Sequence, residues 1–126
     1  MTRGLAIGWT VLIVAACLVP GDQVPEVELR LLSPDKVVHV VLFLVFGWLW
    51  MRAAPRASPS ARFRTGAVVA GGVALALAIE VAQSVLPINR LGDPYDVAAD
   101  LAGLALGVGL VVWDRRRAAG RTEQLS

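Results

Sequence analysis

The sequence has little of what most catalytic and metal-binding proteins use. It contains one cysteine, Cys17, and one histidine, His39. A single cysteine excludes an internal disulfide, and one cysteine with one histidine cannot complete a zinc site of the Cys/His type. The chain also has no Walker loop, no dinucleotide-binding glycine fingerprint and no GxSxG turn. The common nucleotide-dependent and serine-hydrolase classes are therefore excluded.

Charged residues are also scarce. They make up 17% of the 126 residues, whereas 56% are hydrophobic and the mean hydropathy is +0.65. A soluble domain of this length cannot bury so much apolar surface, so the composition predicts an integral membrane protein. The basic residues between the apolar stretches have a single interleaved aromatic residue, Phe63, which argues against a nucleic-acid partner. Membrane lipid is the partner that the composition indicates.

Four apolar stretches predict transmembrane helices, at residues 5–19, 34–51, 66–86 and 94–113. Ser33, Pro34 and Asp35 form a typical helix start, with a cap, a proline in the first turn and an early acid. The predicted fold class is an all-α integral membrane protein with four transmembrane helices. Residues 1–113 would form the membrane domain, and the basic tail 114–126 is predicted to be disordered and cytoplasmic.

The first apolar stretch permits other interpretations. A secretory signal peptide has a similar apolar run after a basic residue. Residues 14–17 also fit a lipoprotein cleavage box, which would place a lipidated Cys17 at the mature N-terminus. The simplest interpretation is a retained first transmembrane helix with a buried structural cysteine.

The distribution of lysine and arginine predicts the orientation. The second loop and the tail carry four arginines each, whereas the first loop region carries Arg30 and Lys36 and the third carries Arg90. The positive-inside rule then places both termini in the cytoplasm. In this topology the second helix starts, the third ends and the fourth starts at the outer face.

Polar residues within these helices cluster toward the outer face, at depths that follow from about 1.5 Å per residue. The layers are Asp35, Lys36, Arg90 and Asp93 near the surface, His39, Gln83 and Asp96 deeper, and Glu80 and Asp100 roughly 9 Å in. Spacings of three or four residues place the members on shared helix faces. The same stripe of the fourth helix continues through Gly103 and Gly107, where another helix can approach closely. The acids are therefore predicted to point into the bundle, because a lipid-facing carboxylate would have no partner.

These motifs, in this order, resemble the VanZ-like family of small multi-helix membrane proteins. The resemblance rests on Asp35-Lys36-x-x-His39, on Glu80-x-x-Gln83, and on the run from Arg90 through Asp93, Asp96 and Asp100 to Gly103 and Gly107. It covers residues 34–107. One departure is Asp100, where the family pattern usually has asparagine. The resemblance implies a cell-envelope context and an association with resistance to the glycopeptide teicoplanin, but no reaction.

The polar residues support opposing interpretations. Glu80 and Asp100 either share and relay a proton or form a structural hydrogen-bond knot with Gln83 or His39. His39 acts as an acid/base group or packs as a satisfied buried histidine. His39, Glu80, Asp96 and Asp100 have the hard-ligand character of a Mg²⁺ or Mn²⁺ site, although a metal is not the leading hypothesis and no cofactor is assigned. Lys36 and Arg90 either hold an anion or pair with Asp35 and Asp93.

The leading functional hypothesis is a cell-envelope protein with an outward-facing polar pocket that binds an anionic lipid-linked or cell-wall ligand and alters glycopeptide susceptibility. The ligand-binding residues would be Asp35, Lys36, His39, Glu80, Gln83, Arg90, Asp93, Asp96 and Asp100. One alternative is a membrane-embedded hydrolase or transferase that uses His39 and a carboxylate, with or without a divalent metal. Another is a non-catalytic assembly subunit whose glycine-rich helices dock a partner. An oligomer is also possible, because glycine allows close contact between helices.

Overall fold

The computed structural model describes residues 1–20, 34–55, 60–90 and 92–126, and every regular element within them is a helix. The helices are α1 (Thr2–Cys17), α2 (Pro34–Ala53), α3 (Ala61–Val85) and α4 (Pro94–Leu125). The prediction of an all-α protein is confirmed. Helices α2, α3 and α4 are long and apolar enough to cross a membrane. Helix α1 has 16 residues, about 24 Å, which is less than the roughly 30 Å of a hydrocarbon core.

Capping residues determine where two of the helices begin. Asp93 caps α4 by accepting a hydrogen bond from the Tyr95 N–H, and α4 starts at Pro94 as the sequence predicts. Helix α3 starts at Ala61, earlier than predicted, because the Ser60 side chain accepts a hydrogen bond from the Phe63 N–H at 3.0 Å. The predicted cap of the second helix, residue 33, lies outside the described residues.

Helices α2 and α4 form the closest pair in the molecule. A Cβ atom added at Gly103 would overlap the Val40 carbonyl, and one added at Gly107 would overlap the Leu44 carbonyl. Gly47 of α2 faces α4 in return, since its added Cβ would lie 3.0 Å from the Leu104 carbonyl oxygen. Only glycine allows two helix backbones to approach so closely, which is the packing that the glycine spacing predicts.

Helix α1 packs against α2 through two tryptophans. The Trp9 indole donates to the Leu42 carbonyl at 2.9 Å, and the Trp50 indole donates to the Thr10 hydroxyl at 3.0 Å. Ile13 of α1 is fully buried. Helix α1 is thus part of the packed bundle.

The core lies between the helices, and the outward surface is also apolar. Buried side chains include Phe43, Phe46 and Leu104, whereas valines and leucines such as Val41 and Leu106 are about half exposed. In water such a surface would be costly, whereas lipid tails solvate it well. The apolar exterior therefore supports membrane insertion.

The tail differs from the sequence-based expectation. Disorder is predicted from residue 114, whereas α4 continues through these residues to Leu125. Alanine, arginine, glutamate, glutamine and leucine dominate this segment, and all five have high helix propensity. The guanidinium of Arg117 also lies over the Trp113 ring at 3.9 Å, which joins one turn of this segment to the next.

Candidate functional site

Ionisable side chains from three parts of the chain meet where α2 and α4 begin. We call this group the polar cluster. Its members are Asp35, Lys36 and His39 of α2, Arg90 and Asp93 of the connection before α4, and Asp96 and Asp100 of α4. The groups meet because the second and fourth helices start at the same end of the molecule, as the sequence predicts.

Lys36 joins α2 to the start of α4. Its ammonium group contacts Asp93 Oδ2 at 2.7 Å and also donates to Asp96 Oδ1. The lysine side chain is 13% exposed and that of Asp96 is 9% exposed, whereas Asp93 is 39% exposed. The hydrogen bond from Lys36 lowers the pKa of the Asp93 carboxyl below its ordinary value, and the Tyr95 N–H adds to this effect. Asp93 therefore stays ionised while it caps α4.

His39 lies beneath this ion pair and is bonded on one side. His39 Nδ1 is 2.7 Å from Asp100 Oδ1, and the two side chains are 3% and 2% exposed. A carboxylate at Nδ1 favours the tautomer whose proton is on that nitrogen. The other nitrogen, Nε2, then faces Asp96 Oδ2 at 3.7 Å and Asp35 Oδ1 at 4.0 Å. The ring is oriented by one acid and presents a basic atom toward two others.

Arg90 connects the polar cluster to the end of α1. Its guanidinium lies 3.7 Å from Asp35 Oδ1 and donates to the Cys17 carbonyl at 3.1 Å. The Gln83 side chain donates to the same carbonyl at 2.8 Å. Asn89, just before the arginine, has a φ of 52°, a left-handed conformation that asparagine tolerates better than most residues. The turn thus places Arg90 between α1 and α2.

Two predicted associations differ from the arrangement that the structure describes. Asp100 is bonded to His39 rather than placed opposite Glu80. Glu80 is half-buried, and its carboxylate lies so close to Gly92 that a Cβ atom added at that glycine would overlap it. Gln83 donates to the end of α1, whereas the predicted hydrogen-bond knot joined it to Glu80 or Asp100. The other predicted partner in that knot, His39, does bond to Asp100. The helices are rotated so that the polar end of α3 faces α1 and the turn.

The model of the VanZ/LLP1 family matches residues 4–115. This chain belongs to the VanZ/LLP1 family. The match includes parts of all four helices, ending at residue 115 within α4, and it contains the whole polar cluster and the three glycines of the α2–α4 contact. No curated protein and no solved structure matches the chain.

In this VanZ/LLP1 protein the polar cluster has more acids than bases. Its four aspartates face two permanent cations, Lys36 and Arg90, so two negative charges are in excess when His39 is neutral. Asp35, His39 and Asp96 each offer one possible metal-ligand atom, and these three atoms lie within 4.8 Å of one another. Such an arrangement could hold a metal ion. The predicted ligand set contained Glu80 where this arrangement has Asp35. Asp100, also a predicted ligand, instead bonds His39 Nδ1 and so orients the imidazole ring.

Sequence reasoning missed one polar group that contacts the polar cluster, the Cys17 carbonyl. It accepts hydrogen bonds from both Gln83 and Arg90. The last carbonyls of a helix lack intrahelical partners, so a donor near the end of α1 was to be expected. Nothing in the residue type of Cys17 indicates which side chain supplies it, because any residue has this carbonyl.

Proposed function

We propose that this VanZ/LLP1 protein is a multi-pass protein of the bacterial cytoplasmic membrane, with four spans, both termini in the cytoplasm and the polar cluster at the outer face. Arg52, Arg62, Arg64 and the arginines of the tail support this orientation, because they lie at the end opposite the polar cluster. The short α1 can span with its flanking residues or by local thinning of the bilayer.

We further propose that the polar cluster binds an anionic group of a lipid-linked or cell-wall ligand, and that binding alters susceptibility to glycopeptides of the teicoplanin type. The observation that carries this proposal is the exposure gradient around the two cations. Lys36 and Arg90 are 13% and 14% exposed, while one carboxylate partner of each, Asp93 and Asp35, is 39% and 40% exposed. The acids at the rim can move into water, whereas the cations are held in place.

Binding of an anion would therefore be an exchange of partners. A phosphate or carboxylate of the ligand would replace Asp93 on Lys36 and Asp35 on Arg90, and the displaced acids would be solvated at the surface. The cations would keep an anionic partner throughout, which matters because an unpaired charge in this environment costs several kcal/mol. The buried His39–Asp100 pair would form the floor of the site.

The test is teicoplanin susceptibility of a bacterial host that expresses wild type, Lys36→Gln or Asp96→Asn, with the amount of each protein in the membrane measured. Asp114→Asn is the matched control, because Asp114 lies more than five turns along α4 from the polar cluster's Asp93 and is 62% exposed. We expect the wild type and Asp114→Asn to shift susceptibility equally, and the two cluster variants to lose the shift at undiminished protein levels. A shift that falls only as the protein level falls would leave the cluster with a structural role.

The arrangement of His39 favours a second candidate, a membrane-embedded hydrolase or transferase. An acid-oriented imidazole with its free nitrogen near two carboxylates is the geometry that general acid/base catalysis needs. The metal-ligand arrangement of Asp35, His39 and Asp96 could assist by holding a divalent cation that polarises a phosphoryl group. His39→Gln separates the candidates, because a catalytic role predicts loss of the phenotype with ligand binding retained. Loss of binding and phenotype together would support the binding role.

A further inference from the structure

An apolar groove lies between α1, α2 and α3, at the end of the molecule opposite the polar cluster. Its volume is about 880 Å³. At the other end of the two helices, α1 and α3 are linked by the hydrogen bond from the Gln83 side chain to the Cys17 carbonyl. Toward its beginning α1 instead contacts α2, where Thr10 accepts the hydrogen bond from Trp50. The groove lies beside the first half of α1, where Arg3, Ile7 and Thr10 line it.

The wall of the groove suits a hydrocarbon chain. On α3 it consists mainly of small residues, among them Ala67, Gly71 and Ala78. Thr10 is the uncharged polar side chain in the wall, and its hydroxyl both donates to the Ala6 carbonyl at 2.8 Å and accepts from the Trp50 indole. A polar ligand would find no free partner along this wall, whereas a flexible apolar chain needs none.

The charged residues of the wall are confined to one end. Arg3 and Arg64 are the two charged residues that line the groove, and each lies in the first turn of its helix. From Phe63 to Ala78 the wall follows α3 for about 22 Å at 1.5 Å per residue. An apolar channel of this length with two cations at its mouth is complementary to an anionic amphiphile. The phosphate would meet the arginines and the chain would extend along the helices.

We propose that this groove binds one acyl chain of an anionic membrane phospholipid, whose phosphate contacts Arg3 and Arg64. The site is separate from the polar cluster, and of the proposed function it requires only that the helices lie in a membrane. Its volume falls within the roughly 300–1,000 Å³ of typical small-molecule sites. The lipid would fill the space between α1 and α3 and so complete the packing of α1.

Native mass spectrometry of the full chain in detergent tests the charge requirement, with dioleoylphosphatidylglycerol and dioleoylphosphatidylcholine as probes. We expect the anionic lipid to bind more tightly than the neutral one. Arg3→Gln and Arg64→Gln should each weaken binding of the anionic lipid about fivefold, with little effect on the neutral lipid. Arg121→Gln is the charge control, because it removes a tail arginine that does not line the groove. Equal affinity of the wild type for the two lipids would overturn the proposal.

A second pair of variants tests the groove itself. A Cβ atom at Gly71 or at Gly66 meets no other atom within 4 Å, so neither glycine is needed for helix packing. Gly71 lines the groove and Gly66 does not. Gly71→Leu should therefore abolish retention of the anionic lipid, whereas Gly66→Leu should bind it like the wild type. Equal behaviour of the two variants would refute the proposal.

Two further outcomes separate this proposal from others. If Gly71→Leu converts a dimer into a monomer without changing lipid binding, the groove is an interface between copies and the lipid proposal is wrong. The teicoplanin response, in contrast, reports on the polar cluster. If the two sites are separate, the cluster variants should lose the teicoplanin response and still bind lipid, and the groove variants should lose lipid binding and keep the response. Each measurement therefore tests one of the two proposals independently of the other.

Discussion

His39 and Asp100 satisfy each other at a place where neither can reach water. Both are at most 3% exposed, and the bond between them is 2.7 Å long. Removing one partner of such a pair leaves the other with an unmet hydrogen bond, and this costs more than the bond itself contributes. The consequences of a substitution therefore depend on whether the new side chain can still accept from Nδ1.

Asp100→Asn and Asp100→Leu should for this reason differ in stability. The asparagine side-chain oxygen can accept the hydrogen bond from the Nδ1–H group of His39. Leucine cannot accept it, so the Leu variant should be less stable than the Asn variant by about 1–3 kcal/mol. Thermal unfolding of the purified proteins in detergent measures the difference. Equal stabilities would mean that the His39–Asp100 bond is not formed.

Asp93 should make the stability depend on pH at the acidic end. Its pKa is lowered in the folded protein from an ordinary value of 3.8, chiefly by the bond from Lys36. Its contribution is therefore fully present above about pH 3.8 and is lost as the pH falls through the lower value of the folded state. Unfolding midpoints in detergent between neutral pH and pH 3 measure this. In Asp93→Asn, which can cap α4 but not pair as an anion, this part of the pH dependence should vanish.

At the scale of whole helices, the contact of α2 with α4 positions the polar cluster. Lys36 and His39 reach the acids of α4 because the two backbones touch at Gly103 and Gly107 farther along. The same contact lets Gly47 face α4. Any increase in the distance between the two helices would pull the ion pairs apart.

Gly103→Ala and Gly107→Ala should each destabilise the protein by about 1–3 kcal/mol, because the added methyl group forces the helices apart. Gly109 of α4 is the matched control, since an added Cβ there meets no atom within 4 Å. Gly109→Ala should be neutral or stabilising by up to about 1 kcal/mol, as alanine is the better helix former. Unfolding midpoints and the yield of monodisperse protein report both effects. A destabilised Gly109→Ala with an unchanged Gly103→Ala would contradict the α2–α4 contact.

The helices could be predicted from the sequence more fully than their rotations. Pro34 and Asp93 mark helix starts, and the four-residue spacing of Gly103 and Gly107 marks a packing face. The end at which the acids gather follows from the helix order. The choice between His39 and Glu80 as the partner of Asp100 depends instead on how each helix is turned about its axis, which no local pattern specifies.

For the whole molecule, the proposed topology makes a prediction about reporter fusions. Green fluorescent protein joined after Ser126 should fluoresce, because the C-terminus is expected in the cytoplasm. Alkaline phosphatase should be inactive at that position and active when the chain is truncated and fused after Arg90. Active phosphatase after Ser126 would contradict the four-span topology. An intact mass that lacks residues 1–16 would instead show cleavage before Cys17 and loss of the packed α1.

The dependence of the polar cluster on α4 has a consequence for biogenesis. The ribosome completes α1, α2 and α3 before α4 exists, so Lys36 is made long before Asp93 and Asp96, the acids that pair with it. Until α4 inserts, the newly made chain holds a lysine near the membrane without these two partners, a state that the translocon or a chaperone must tolerate. A chain that stops before α4 stays in that state. Products truncated before α4 should therefore be recognised and degraded by membrane quality-control proteases.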